Sequence, residues 1–216
     1  MKPFRMILLV ALTGGAFAAQ AQDVLVTLVK DKTCLYLEKG AWVLMTPFMK
    51  LRAGDRLELG AGCATQLLYT ASGRQETWSG RVELTIGEAR SEAIGDAIPV
   101  VKQLPVAALA RLSRAPLVLT DIRSRTGMVM VRSGGVLEKL RAVESLYEEM
   151  RAAAGNEDIT PELYLLSALY ELELYRDVEE IIADIVARQP DNAEAQLILE
   201  NMRKAMKMTG DTPETH

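Results

Sequence analysis

The spacing of the apolar residues changes near residue 136, and this change predicts two halves with different folds. Upstream of it the chain consists of short β-rich runs, and in the last of these Val82, Leu84 and Ile86 alternate with polar residues. Such alternation gives a strand one buried face and one wet face. Glycine-containing turns separate the runs. We therefore expect a small antiparallel β-sandwich or barrel in residues 22–96.

Downstream of residue 136 the apolar residues follow the period of an α-helix. The first stripe is formed by residues three or four apart: Val136, Leu140, Val143, Tyr147 and Met150. Thr160 is the expected N-cap of the second helix, with Pro161 in its first turn. The fold class is therefore α+β in segregated halves. We expect a helical domain over residues 135–208 and a disordered tail over residues 209–216.

The N-terminus has the order of a secretory signal peptide. Lys2 and Arg5 form a short positive region, residues 6–12 are apolar, and AQA at residues 19–21 is a cleavage sequence. Seven to twelve apolar residues reach about 10–18 Å as a helix, which is too short for a hydrocarbon core of about 30 Å. We expect removal of residues 1–21, export to the periplasm, and no transmembrane span in the mature chain.

The middle of the chain is basic. Residues 97–134 carry six basic side chains and one acidic side chain, whereas residues 135–216 carry eight basic and eighteen acidic ones. We interpret 97–134 as a basic connector between two separately folding halves. Its charge attracts either the acidic helical half or an acidic partner. The connector side chains that we assign to partner binding are Arg111, Arg114, Arg123 and Arg125.

Three turns in the first half follow one another in a recognisable order. They are the LRAGDRL sequence at 51–57, the GAG turn at 60–62 and the SGR hairpin at 72–74. With the strands around them, over residues 24–90, they resemble the FecR-like domain of bacterial envelope proteins, a small β-structure. Ser72 stands where that family usually has Asp. The family includes regulators of iron uptake, which implies a sensor or regulatory component of envelope signalling as an alternative function.

The second half is similar to a tetratricopeptide repeat over residues 160–193. The spacing that carries the resemblance is that of Tyr175, Val178, Ile182, Ile185 and Pro190, with Ser167 and Tyr170 in the preceding helix. The resemblance implies a stack of helical hairpins that binds a protein or peptide. It places Tyr164, Ala168 and Glu171 on the concave, partner-binding side. An ordinary helical bundle, with these residues on its surface, is the alternative that the sequence leaves open.

Sequence patterns of common catalytic sites are missing from the chain. It has no phosphate-binding loop, no G-x-G-x-x-G, no G-x-S-x-G and no S-x-x-K. The one histidine is His216, the last residue, so a cysteine nucleophile has no histidine base in the folded body. We predict a non-catalytic binding or assembly protein of the cell envelope, with no cofactor, no metal and no nucleic-acid partner. A carboxylate-based hydrolase is a third alternative.

The two cysteines both fall in predicted strands of the first half. Cys34 and Cys63 are close enough in sequence to belong to one small domain. Export would place them in a compartment where thiols can be oxidised. The sequence leaves two alternatives open, which are a disulfide between them and two buried free thiols.

Overall fold

The fold is described from a computed structural model, which covers residues 24–124 and 136–210. The expected signal peptide and most of the expected tail lie outside the described residues. The ten strands are β1 Val24–Lys30, β2 Cys34–Glu38, β3 Ala41–Leu44, β4 Lys50–Leu51, β5 Arg56–Leu59, β6 Ala64–Tyr69, β7 Arg74–Ser79, β8 Val82–Ile86, β9 Ser91–Ile94 and β10 Val100–Gln103. The six helices are α1 Val106–Leu112, α2 Ala115–Ser124, α3 Val136–Ala152, α4 Thr160–Glu171, α5 Tyr175–Arg188 and α6 Ala193–Gly210.

The strands form two antiparallel sheets of five strands each. Sheet A has the order β10-β7-β6-β1-β4, and sheet B has the order β3-β2-β5-β8-β9. A buried apolar cluster contains side chains from both sheets, among them Leu67 and Trp78 from sheet A and Leu57 and Leu84 from sheet B. The two sheets therefore pack face to face around a common core. The predicted α+β class with segregated halves is confirmed.

Sheet A is the middle layer of three. Along β1, Val24 and Val26 belong to the core between the sheets, whereas Leu25 belongs to a second core with the helices. On β6, Leu67 belongs to the core between the sheets and Leu68 belongs to the core with the helices. Successive side chains of a strand point to opposite faces, so both faces of sheet A are covered. This explains why β1 begins with a continuous apolar run rather than an alternating one.

Helix α4 lies at the centre of the helical layer. It contacts α1, α2, α3 and α5, and its residues from Thr160 to Leu169 are all buried. A helix that is apolar on all sides is typically buried on all sides. The predicted cap is wrong in one detail, because Ile159 is the N-cap and Thr160 is the first helical residue. Instead, the Asp158 side chain accepts a hydrogen bond from the main-chain N–H of Thr160 at 3.0 Å.

The segment that we interpreted as a connector contributes a strand to sheet A and apolar side chains, from Leu104 to Ile122, to the core shared with the helices. Residues 100–103 add β10 to sheet A, and α1 and α2 pack on α4. The hairpin between β6 and β7 approaches α1 closely at Gly73, whose φ is +71°. This positive φ favours glycine, and a Cβ at Gly73 would lie 2.4 Å from Leu109 Cδ2, so a larger residue would also displace the Leu109 side chain.

A disulfide joins the two sheets. Cys34 is the first residue of β2 in sheet B, and Cys63 directly precedes β6 in sheet A. Their Cα atoms are 5.3 Å apart, and both residues are almost completely buried. Of the two alternatives left open by the sequence, the structure has the disulfide.

Candidate functional site

The structure buries two of the three helical residues that we assigned to partner binding. Tyr164 and Ala168 on α4 are each 1% exposed. Helix α1 covers this side of α4, and the Arg111 guanidinium lies 5.5 Å from the centre of the Tyr164 ring. Burial is the main cause that raises the pKa of Tyr164, and the Arg111 charge partly opposes it. Neither Tyr164 nor Ala168 is available to a partner in this arrangement, so their assignment to a partner surface is corrected to an internal contact.

Three further predicted residues meet one another at the edge of this contact. Arg114 Nη1 donates a 2.6 Å hydrogen bond to Glu171 Oε1, and Arg111 Nε lies 3.5 Å from Glu171 Oε2. The basic connector therefore pairs with the acidic helical half of the same chain, which is the simpler of the two outcomes that we expected. Arg123 lies in α2, and Arg125 lies outside the described residues.

A solvent-filled depression of about 660 Å³ remains open beside these ion pairs. It lies between α2 and the turn from α4 to α5, and Arg114, Glu171 and the 64%-exposed Leu117 line it. Tyr170 also lines it and donates a hydrogen bond to Asp121 of α2. This depression is the part of the predicted partner surface that stays accessible, and within it Arg114 and Glu171 already bind each other.

An exposed apolar strip lies elsewhere, along the segment from β9 to the start of α1. It is formed by Ile94, Ile98, Val100, Val101 and Val106, which are 44% to 88% exposed. We call these five residues the apolar edge. Large apolar side chains gathered on an exposed strand edge are typical of surfaces that pair with another chain. This feature was not predicted from the sequence, although the β-branched pair Val100–Val101 directly after Pro99 is typical of a strand.

The outer side of β10 carries main-chain groups that have no partner among residues 24–124 and 136–210. β10 is the last strand of sheet A and pairs only with β7 among the described elements. Leu104 N–H donates to the main-chain oxygen of Gly73, which continues the register that pairs Lys102 with Gln75. In an antiparallel pair, alternate residues direct their N–H and C=O groups to opposite sides. The N–H and C=O of Val101 and Gln103 therefore point to the open edge.

A polar cleft of about 540 Å³ lies on the face of sheet A that is turned toward the helices. The segment 153–158 between α3 and α4 forms its opposite wall, and Val100 connects it to the apolar edge. On the floor, Gln66 of β6 is 6% exposed and Gln75 of β7 is 2% exposed. The cleft therefore combines buried amide side chains with an opening beside β10.

Two other buried carboxylates are fully engaged in internal contacts. Glu76 accepts hydrogen bonds from Arg74, from the Trp78 indole and from the main-chain N–H of Ser91. Glu162 is bound by Arg151 at 2.9 Å and lies 2.9 Å from Arg188 Nε. These contacts give each buried carboxylate several hydrogen-bond donors and hold structural elements together. Within residues 24–124 and 136–210, no group of three or more metal-ligating side chains is present.

Comparison with family models, curated proteins and solved structures finds no match for this chain. The resemblances to FecR-like domains and to tetratricopeptide repeats therefore stay predictions. In the part of the chain that the structure describes, no helix is both long enough and apolar enough to cross a bilayer. The apolar edge and the adjoining polar cleft are the surface features from which a function can be inferred.

Proposed function

We propose that this protein is an exported, non-catalytic binding and assembly protein of the bacterial cell envelope, located in the periplasm. Its partner is another polypeptide, which adds an extended segment to the free edge of β10. The observation that carries the proposal is the apolar edge, where main-chain groups without a partner in the described part of the chain lie beside exposed apolar side chains. Strand addition uses both, since the main chain supplies affinity and the side chains supply specificity.

The location rests on the sequence. The N-terminal segment has the order of a cleavable export signal, and residues 24–90 resemble domains of envelope proteins. The disulfide between Cys34 and Cys63 is consistent with an oxidising compartment, because such bonds are rare in reducing ones. Together these observations support a periplasmic location.

A sensor or regulatory component of an envelope signalling system is the second candidate function. The FecR-like order of turns over residues 24–90 favours it. The two candidates differ in what deletion of the gene changes. A regulator alters transcription of a receptor or sigma-factor gene, whereas an assembly protein alters the amount of a partner protein without altering its transcript.

Strand addition can be tested with a pair of substitutions at one residue. Val101→Pro removes the outward N–H, and proline is tolerated on an edge strand where that N–H faces solvent. Val101→Thr keeps the N–H and the β-branched shape. A photo-crosslinking residue placed at Ile98, which is 88% exposed, reports contact with a partner in the intact envelope.

We expect a discrete crosslinked product from position 98 in the Val101→Thr protein and its loss in the Val101→Pro protein. Both variants should unfold at the same urea concentration as the wild type. The positional control is a crosslinker at Leu44, which is exposed on β3, the edge strand at the other end of sheet B from β9. An unchanged product in the Val101→Pro protein would exclude strand addition. The same product from Leu44 and from position 98 would show that the apolar edge is not the specific surface.

A further inference from the structure

The cleft beside β10 is polar, but its charges are already balanced. Lys102 Nζ donates to the main-chain oxygen of Ala153 at 3.3 Å and lies 3.7 Å from Asp158 Oδ2. At the far end, Glu157 pairs with Lys30 at 2.6 Å. Each acidic side chain in the lining therefore faces a lysine of the same chain. A charged ligand would have to displace one of these pairs, so the lining favours an uncharged polar group.

On the cleft floor, the side-chain oxygen of Gln75 is a hydrogen-bond acceptor without a partner among the described residues. Its Nε2 donates to Asp158 Oδ1 at 3.1 Å and to Thr160 Oγ1 at 2.6 Å. The Asp158 carboxylate only accepts, and this fixes which end of the Gln75 amide is the nitrogen. Among the described residues no donor binds Gln75 Oε1. The oxygen is accessible to solvent. Among the described residues, the completely buried side-chain N and O atoms that lack a hydrogen bond are the Nε atoms of Arg111 and Arg188, and Gln75 Oε1 is not one of them.

On the neighbouring strand, the side-chain nitrogen of Gln66 has an N–H group without a hydrogen-bond partner among the described residues. Its Oε1 accepts a 2.8 Å hydrogen bond from Thr27 Oγ1. Its Nε2 makes one long contact of 3.5 Å to Thr77 Oγ1. A primary amide nitrogen can donate two hydrogen bonds, so at least one N–H of Gln66 is free for a ligand.

The sheet register sets the distance between these two amides. Gln66 pairs with Thr77 and Leu68 pairs with Gln75, so Gln66 and Gln75 are diagonal neighbours on one face of the sheet. Diagonal neighbours lie about 7–8 Å apart, within reach of long side chains. A ligand carboxamide bound between them would accept from Gln66 Nε2 through its oxygen and donate to Gln75 Oε1 through its nitrogen.

We propose that this cleft binds the side-chain carboxamide of a glutamine or asparagine in a polypeptide. A nearly buried donor and acceptor on adjacent strands select such a group, because an ester, a carboxylate or a methyl group leaves one of them unpaired. None of the lining side chains identified in the described part of the chain is aromatic, so the cleft offers no platform for stacking a sugar ring. The site goes beyond strand addition, since it recognises a side chain and needs no main-chain pairing.

The test uses the full chain with the Val101→Pro substitution, which blocks pairing of another strand with β10. Binding to the cleft is thereby measured separately from strand addition, so that the two proposals can fail independently. The probes are three N-acetyl amino acids, glutamine, methionine and glutamic acid, each blocked at its α-carboxyl group as the N-methylamide so that only the glutamine probe carries a primary carboxamide, with N-acetylglucosamine as the sugar arm. The readout is the pair of side-chain amide signals of Gln66 and Gln75 in nitrogen–proton correlation spectra. For a ligand of this size we expect a Kd on the order of 1 mM.

The glutamine probe should shift both amide signals saturably and bind about tenfold more tightly than the methionine probe, because one buried hydrogen-bonding pair contributes about that factor. Gln66→Glu should abolish the difference. Gln103→Glu, the same change on the exposed part of β10, should leave it intact. Equal affinity for the glutamine and methionine probes would overturn the proposal. Tighter binding of the glutamate probe or of the sugar would overturn it as well.

Discussion

Gln189 Nε2 donates a 2.9 Å hydrogen bond to the main-chain oxygen of Thr27, a residue 162 positions earlier in the chain. Thr27 belongs to β1 of sheet A, and Gln189 directly follows α5. Together with the bonds of Gln75 to Asp158 and Thr160, this contact ties the first half to the second through buried polar groups. Breaking one partner of such a pair leaves the other buried and unsatisfied. The two halves are therefore joined by more than charge attraction.

The full chain should unfold in a single cooperative transition. Trp42 and Trp78 lie in the β-half, so their fluorescence reports on that half, whereas circular dichroism at the helix band reports on the helical half. Because Leu25 and Leu68 of sheet A share a core with the helices, the two urea transitions should coincide. Added salt should not separate them, since buried contacts are screened far less than exposed charges. A helical transition that precedes the fluorescence transition would restore the earlier expectation of independent halves.

Reduction of the disulfide should destabilise the protein. The bond closes a loop between residues 29 positions apart, and the chain-entropy relation gives about 3–4 kcal/mol for a loop of this length. Urea unfolding of the wild type with and without reductant measures the loss, and a Cys34→Ala, Cys63→Ala double variant should match the reduced protein. A thiol assay under denaturing, non-reducing conditions should find no free thiol. Two titratable thiols would show that the bond does not form.

Glu162→Gln should lower the free energy of unfolding by about 3–5 kcal/mol, because it leaves two arginines beside a neutral, buried amide. The Glu162 side chain is fully buried, and both Arg151 and Arg188 approach it within 3 Å. Glu180→Gln, on the exposed side of α5, is the matched control and should leave the urea midpoint unchanged. If the two variants were equally stable, Glu162 would not be the anchor that joins α3, α4 and α5.

The stability of the protein should fall at high pH through Tyr69. Burial raises the pKa of Tyr69 to about 12, the nearby Glu76 charge adds to this, and the hydrogen bond with Ser91 opposes it. The unfolded side chain titrates near pH 10, so the contribution is intact below about pH 10 and is lost as the pH rises toward 12. The urea midpoint of Tyr69→Phe should decline less steeply than that of the wild type over this range. Parallel declines would exclude Tyr69 as a source of the pH dependence.

Local patterns were sufficient to predict most elements of this fold. The glycine turns and short β-rich runs predicted β1–β3 and β5–β8, and the apolar stripes predicted α3–α6. The strands that were missed are β4, β9 and β10. β4 has two residues, and β9 and β10 expose apolar side chains instead of alternating them with polar ones. Alternation marks a strand only where one face is buried and the other is wet, and neither edge strand meets that condition.

The predicted partner surface could not be assigned from spacing alone. A helical period tells which residues share a face of α4, but not which distant element covers that face. Here α1 covers it, and the contact of Arg111 with Tyr164 joins residues 53 positions apart. A usable signal was present in the run Leu163–Leu169, which is apolar with little interruption and so indicates a helix surrounded on all sides.

The two covered faces of β1 have a consequence for how the molecule is made. Synthesis produces this strand before its neighbour β6 and long before the helices that cover Leu25. Until then, its unbroken apolar run is open to pairing with other chains, as any unfinished strand of this composition is. Strand β1 is fully covered only when residues from almost the whole length of the sequence contact one another, and such non-local contacts form slowly. Strand β1, the first described element, is therefore synthesised long before the helices that complete its surroundings.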